Sequence, residues 1–249
     1  MDTVLALAWR VQASSLERFR RNYSLLSELY CGISIYTPPN CDPNLLQQLS
    51  SFPNVKLTEG RLQVENRRYF ALRQALEFAC ASYMHYCDGD HAFARIEQNP
   101  QDWKVSLETL HHADCLIIER SPHVLESYPQ ALKTTERIIN LVGTYLLGQS
   151  VDLGSGSRGF SRRAVEHLIV HASPNTHGVA TDMEWPVLLS KAGFTISTYE
   201  SDGAIYEIEN EDHRHQLENA NQWSKRVELA RLIIDAGIRA ANRSDLPLI

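Results

Sequence analysis

No two of the five cysteines are spaced as C-x-x-C, and none joins a His/Cys cluster of zinc-site spacing. Cys31, Cys41, Cys80, Cys87 and Cys115 have apolar neighbours or lie at strand ends, and their number is odd. They read as reduced thiols of a cytosolic protein. Met1 to Ala8 lacks a basic stretch, and its apolar run is too short for a signal peptide. The most apolar later run, residues 138–147, contains Asn140 and Thr144 and falls well short of a bilayer span. A cytoplasmic location without a transmembrane segment is therefore expected. Excess positive charge is also missing: 24 Lys and Arg residues face 30 Asp and Glu, for a net charge of −6. That balance argues against a nucleic-acid partner, whose phosphates need a basic face. There is no G-x-x-x-x-G-K-[ST] loop, and no G-x-G-x-x-G in strand–helix context. Internal repeats and low-complexity segments are absent as well.

What is present is an alternation of strand and helix patterns. The 249 residues suffice for one large α/β domain, with 43% hydrophobic and 22% charged residues as in ordinary globular chains. Short apolar runs at 4–8, 33–36, 55–57 and 83–87 predict strands buried on both faces. Between them lie helical patterns: one opening at Ser14-Ser15, one at Asp42-Pro43, and one over 67–82. Further helices are predicted over 103–112, 134–147, 162–171, 181–192 and 221–241, with strands at 115–119 and 194–199. Residues 154–160 read as a glycine-rich loop, and 207–215 as a polar loop. The order implies a largely parallel sheet with helices on both faces, whose ligands bind at the carboxyl ends of strands.

The fourth strand delivers Asp88-Gly89-Asp90 to such an end. Two carboxylates around a glycine suit Mg²⁺ or Mn²⁺, hard cations that take a few protein oxygens and complete their shell with phosphate and water. An Asp-Gly turn would use the same residues. The arginines concentrate nearby: Arg67, Arg68, Arg73, Arg120, Arg158, Arg162 and Arg163. In a net-negative chain this clustering points to an anion, and guanidinium forks suit a diphosphate. Arg73, Arg120 and Arg158 are the candidates singled out, with one of Arg67 and Arg68 assigned to solvent. His91 could line a sugar site. The stripe Trp223, Val227, Arg231 reads as packing.

Several blocks, in order, resemble the family 2 glycosyltransferases and their dolichyl-phosphate-mannose-synthase-like relatives. RYFALRQALEFA at 68–79 is similar to the family helix before the D-x-D strand, and Cys115 to Arg120 to a strand ending in arginine. Residues 135–163, with Gly154-Ser-Gly-Ser-Arg-Gly-Phe160, are similar to the acceptor-side helix and loop. Thr181-Asp182-Met183-Glu184-Trp185, then Lys191-Ala192-Gly193-Phe194, look like the acidic helix and its exit. The resemblance covers roughly residues 67–199 and implies a glycosyltransferase A fold, a UDP- or GDP-sugar donor, a hydroxyl acceptor and a divalent metal. It implies that Asp88 contacts nucleotide and metal, that Asp90 binds the metal, and that Asp182 or Glu184 stands near the acceptor as general base. A third metal ligand often comes from a C-terminal loop, here His213 or His215. Thr181 and Glu184 also fit a capping box.

Two strand ends depart from the family. Leu7 to Gln12 replaces its P-x-x-N-E-like turn, and Asp42 is the only acid after the second strand. The G-G-x-G-T-R entry of sugar nucleotidyltransferases is missing. The expectation is a single domain over 1–249: a nucleotide-binding half at 1–90, an acceptor half at 91–215 and a C-terminal helix at 216–249. Its activity is metal-dependent sugar transfer to a hydroxyl. The alternative is a non-catalytic sugar-nucleotide binder with a degenerate site, and a weaker one a nucleotidyltransferase. Self-association stays open.

Overall fold

The computed structural model describes residues 2–61, 66–203, 205 and 219–246, without the side chain of Asp90. Seven strands form one sheet in the order β3-β2-β1-β4-β6-β5-β7. They are β1 (Thr3–Ala8), β2 (Gly32–Thr37), β3 (Val55–Glu59), β4 (Tyr83–Asp88), β5 (Cys115–Arg120), β6 (Ser157–Ser161) and β7 (Ile196–Ser201). All neighbours pair parallel except β6, which runs antiparallel between β4 and β5. Along β1 the residues alternate between two cores. Val4 and Ala6 join one, while Leu5 and Leu7 join the other. Both faces are thus covered, which is why the strands read as continuous apolar runs.

The second core takes α1 (Ala13–Leu29), α2 (Pro43–Ser50), α4 (Gly89–Gln98) and α5 (Pro100–Thr109) through Phe19, Leu49, Phe93 and Trp103. The first takes α3 (Arg67–Ala75), α7 (Gln130–Leu147), α8 (Arg162–His171), α9 (Thr181–Lys191) and α10 (Ala220–Ala241) through Leu72, Ile139, Leu168, Trp185 and Ile233. A short α6 (Pro122–Glu126) follows β5. Local signals start many of these helices. Asp42 Oδ1 accepts from Asn44 N at 2.8 Å ahead of Pro43, and Ser161 Oγ accepts from Ala164 N at 3.3 Å. Gly148, at φ 70°, ends α7 in the left-handed conformation.

Several expectations need correction. The helix from Arg67 stops at Ala75, where the N–H groups of Leu76, Glu77 and Phe78 close onto the carbonyls of Leu72, Gln74 and Ala75, and Arg162 holds the turn beyond it by donating to the carbonyls of Leu76 and Ala81, both at 3.0 Å. The turn that follows brings Cys80 to Cys31, and the two form a disulfide; Cys41, Cys87 and Cys115 are the free, buried thiols. The glycine-rich segment is only half a loop. Its second half is β6, where a Cβ on Gly159 would fall 1.6 Å from Leu110 Cδ2. No Thr181–Glu184 capping box forms: Thr181 lies inside the helix, and Glu184 Oε1 accepts from Thr176 Oγ1 at 3.0 Å. On α10, Val227 is exposed and Arg231 pairs with Asp235 at 3.5 Å, so these two face solvent while Trp223 is half-buried. Among the described residues, no helix is long and apolar enough to cross a membrane.

Candidate active site

β1 and β4 are neighbours with Ala8 opposite Asp88, so their carboxyl ends open side by side. α4 starts at once with Gly89, packed so closely under Trp9 that a Cβ there would lie 2.3 Å from the indole. Asp88 is therefore fixed at a strand–helix junction. Its Oδ1 accepts from the Tyr86 hydroxyl and its Oδ2 from Arg68 Nη2 at 2.7 Å. The other arm of the same guanidinium, Nη1, reaches Asp182 Oδ1 at 2.5 Å. Burial works against ionisation of Asp88, but Arg68 and His91 outweigh it and lower its pKa. Arg68, although buried, is held more firmly protonated by Asp182 and Asp88.

Asp182 is itself buried, and Arg158 on β6 clamps it from the other side. Arg158 Nη1 donates to Asp182 Oδ1 at 2.9 Å and Nη2 to the Asp182 carbonyl at 3.0 Å. That carbonyl is available because Pro186, four residues on, has no N–H to offer it. Arg158 also donates to Leu153 O at 2.6 Å. One buried network thus ties α3, β4, β6 and the start of α9 together.

Two concavities meet at Asp88, Arg68, His91 and Val179. The wider, about 580 Å³, opens past the end of β1 and is lined by Arg10, Arg67, Gly89 and His177. The other, about 300 Å³, runs toward α7 and α10. Its walls include Leu132, Ile139, Ile233, Glu136 and Arg226, with Asp182 at its base. One side is thus cationic and polar, and the other combines apolar walls with the carboxylates of Asp88, Glu136 and Asp182 and the guanidiniums of Arg68 and Arg226.

The structure brings together only some of the residues singled out from sequence. Asp88 and Asp182 lie in the site, joined by Arg68. Arg73 is exposed and lines neither concavity. Arg120 is buried in its own cluster, with Nε and Nη2 donating to the two Asp152 oxygens, each at 2.7 Å, and its guanidinium over the Tyr128 ring. Arg158 lies beneath the site as Asp182's clamp. Glu184 opens onto a separate cleft with Thr176, Arg239 and Arg243, since two residues along a helix point different ways. There its pKa is raised by burial. The side chain of Asp90, and His213 and His215, lie outside the described residues.

Sequence reasoning named Arg68 within the arginine cluster without singling it out, and missed Arg10, Glu136, His177 and Arg226. A signal existed for Arg68, which stands at i, i+4, i+7 with Leu72 and Ala75 on the buried face of α3, while Arg73 falls on the opposite side. The four others come from four different segments, and nothing local marks them.

Among the described residues, no three His, Cys, Asp or Glu side chains gather where a metal ion could bind. A partial donor set does exist. A Cβ on Gly156 would lie 3.0 Å from Asp88 Oδ2 and 3.6 Å from His91 Nδ1, so both donors border the space this glycine leaves open. A carboxylate with one imidazole, completed by phosphate oxygens and water, fits Mg²⁺ or Mn²⁺.

No known protein family matches the sequence, and no curated protein matches it. Solved structures do match the fold. Glucosyl-3-phosphoglycerate synthase from Mycobacterium tuberculosis is 12% identical with a TM-score of 0.61, over 98% of this chain and 82% of that one. Its complex with Mn²⁺, UDP-glucose and phosphoglyceric acid gives 11% and 0.59, over 98% and 80%. 4-Diphosphocytidyl-2C-methyl-D-erythritol synthase from Anaerococcus prevotii gives 11% and 0.50, over 90% and 99%. The chain has the glycosyltransferase A fold of nucleotide-diphospho-sugar transferases.

Proposed function

We propose that this chain transfers a sugar from a nucleotide-diphosphate donor to a hydroxyl acceptor, using a divalent metal. The observation that carries the reading is the Arg68 fork between Asp88 and Asp182, at the meeting point of a cationic cleft and a second cavity of mixed apolar and charged lining. The donor's diphosphate would lie in the cleft against Arg10, Arg67 and Arg68. The acceptor would enter the cavity beside α7 and α10, its hydroxyl toward the donor cleft. This divides a single domain into a donor half over 1–90 and an acceptor half over 91–215, with the C-terminal helix closing the acceptor side. Mg²⁺ or Mn²⁺ would be held by Asp88, with Asp90 and His213 as further ligands. When bound, it stabilises negative charge developing on the leaving diphosphate.

The chain's own groups do the rest. Arg68 is aimed where that charge develops and is preorganised by two carboxylates, which lowers the cost of reorientation. Asp182 serves as its anchor. Two guanidiniums donate to one of its oxygens. The same closed Arg68 bridge favours a second reading, a non-catalytic sugar-nucleotide binder.

A thermal-shift panel of UDP, GDP and their sugars, with and without Mn²⁺, tests the donor. Ligand at about 100 times its Kd adds about 2.7 kcal/mol of stability, a readily measured shift. Donor hydrolysis by the parent and its loss in Asp88→Asn identify the enzyme; binding without turnover identifies the binder. No shift with any nucleotide would refute both.

A further inference from the structure

Glu136 stands apart from the other carboxylates around the acceptor cavity. Asp88 accepts from Tyr86 and Arg68, and Asp182 from two arginines. Glu136 Oε2 pairs with Arg120 Nη2 at 2.5 Å. Arg120 is meanwhile committed to both oxygens of Asp152, which Asn140 also supports at 2.9 Å. The guanidinium is thus shared between two carboxylates, and it holds Glu136 at the wall of the cavity that Glu136 lines.

The position is also right. A Cβ on Gly154 would fall 2.6 Å from Glu136 Cδ, and one on Gly156 would fall 3.0 Å from Asp88 Oδ2. The short turn between these glycines thus has the Glu136 carboxyl against one end and the Asp88 carboxyl against the other. Both border the cavity between β4 and α7.

We propose that Glu136 accepts the proton of the acceptor hydroxyl. As that oxygen forms its bond to the anomeric carbon, the bond from this carbon to the diphosphate breaks. The electron pair leaves on the diphosphate oxygen, and the hydroxyl proton passes to the Glu136 carboxylate. The assignment rests on the donor reading above. The charged groups that face Glu136 are Arg120 from β5, Asp152 from the turn before β6 and Arg226 from α10. Across the cavity stand Arg68, Asp88, His91 and Asp182. Burial, aided by Asp152 and opposed by Arg120 and Arg226, raises the Glu136 pKa to about 7, near where a general base works best.

The test is hydrolysis of UDP-glucose and GDP-mannose, in which water stands in for the acceptor hydroxyl, followed against pH in the parent, Glu136→Gln and Glu136→Asp. Donor binding is followed in parallel by thermal shift. The parent rate should rise with pH through about 7, as the base loses its proton. Glu136→Gln should bind donor normally but hydrolyse it about 10²–10⁴-fold more slowly, without the rising limb. Glu136→Asp should recover part of the rate together with that limb. Parental hydrolysis in Glu136→Gln, or an unchanged rising limb, overturns the assignment alone. A parent that binds and hydrolyses neither donor overturns the donor reading with it.

Discussion

His85 on β4 has both ring nitrogens engaged: Nδ1 with the Tyr30 hydroxyl at 2.7 Å and Nε2 with Ser157 Oγ at 2.9 Å. Burial first, and Arg95 second, lower its pKa to about 3. An unfolded histidine titrates near about 6.5. Between those values the unfolded chain takes up a proton that the folded chain refuses, so stability falls as pH falls from about 6.5 toward 3. Urea midpoints taken from neutral pH downward should show this slope, and His85→Gln should flatten it; an equal slope in the variant would exclude His85 as the cause. Arg68 carries a different kind of cost. Arg68→Ala leaves Asp88 and Asp182 each short of a guanidinium, and breaking such a buried pair costs about 3–5 kcal/mol. Denaturant unfolding reads this directly. A loss below about 1 kcal/mol, the range of surface ion pairs, would mean the bridge is not formed in solution.

At the scale of elements, the antiparallel β6 joins the two halves of the sheet, and it does so with the sequence Ser-Arg-Gly-Phe-Ser. Gly159 in it accommodates Leu110, so Gly159→Ala should overpack the core and cost about 1–3 kcal/mol by urea unfolding. A stability equal to the parent's would show that Leu110 simply moves aside. Composition hid this strand. Its glycine answers a side chain 49 residues earlier, and its buried arginine answers Asp182, so neither leaves a period-two pattern. The early termination of α3 was illegible for the same reason, because the turn beyond it is held by Arg162 from a distant segment. Elements with their own signals were legible to within a few residues: β1, β2 and β4 from apolar runs, α2 from Asp42-Pro43, and α7 from its amphipathic face.

For the whole molecule, the Cys31–Cys80 link closes a 49-residue separation across β2, α2, β3 and α3. Loop-closure entropy for that length is about 4 kcal/mol. Thiol titration of the denatured, unreduced chain should find only Cys41, Cys87 and Cys115, and reductant should lower Tm. Five reactive thiols without reductant would contradict the pairing. The site was legible in outline. Asp88 could be placed because it ends a buried strand, and Asp182 because an ordered set of blocks led to it. The partner that joins them could not, since one guanidinium meeting two acids 20 and 114 residues away is a property of the folded chain. The most direct measurement is calorimetric titration of UDP- and GDP-sugars with Mn²⁺ into the parent and into Asp88→Asn. The account predicts metal-dependent binding of one donor class that chelator and Asp88→Asn each abolish. Donor binding that survives both chelator and Asp88→Asn would contradict it.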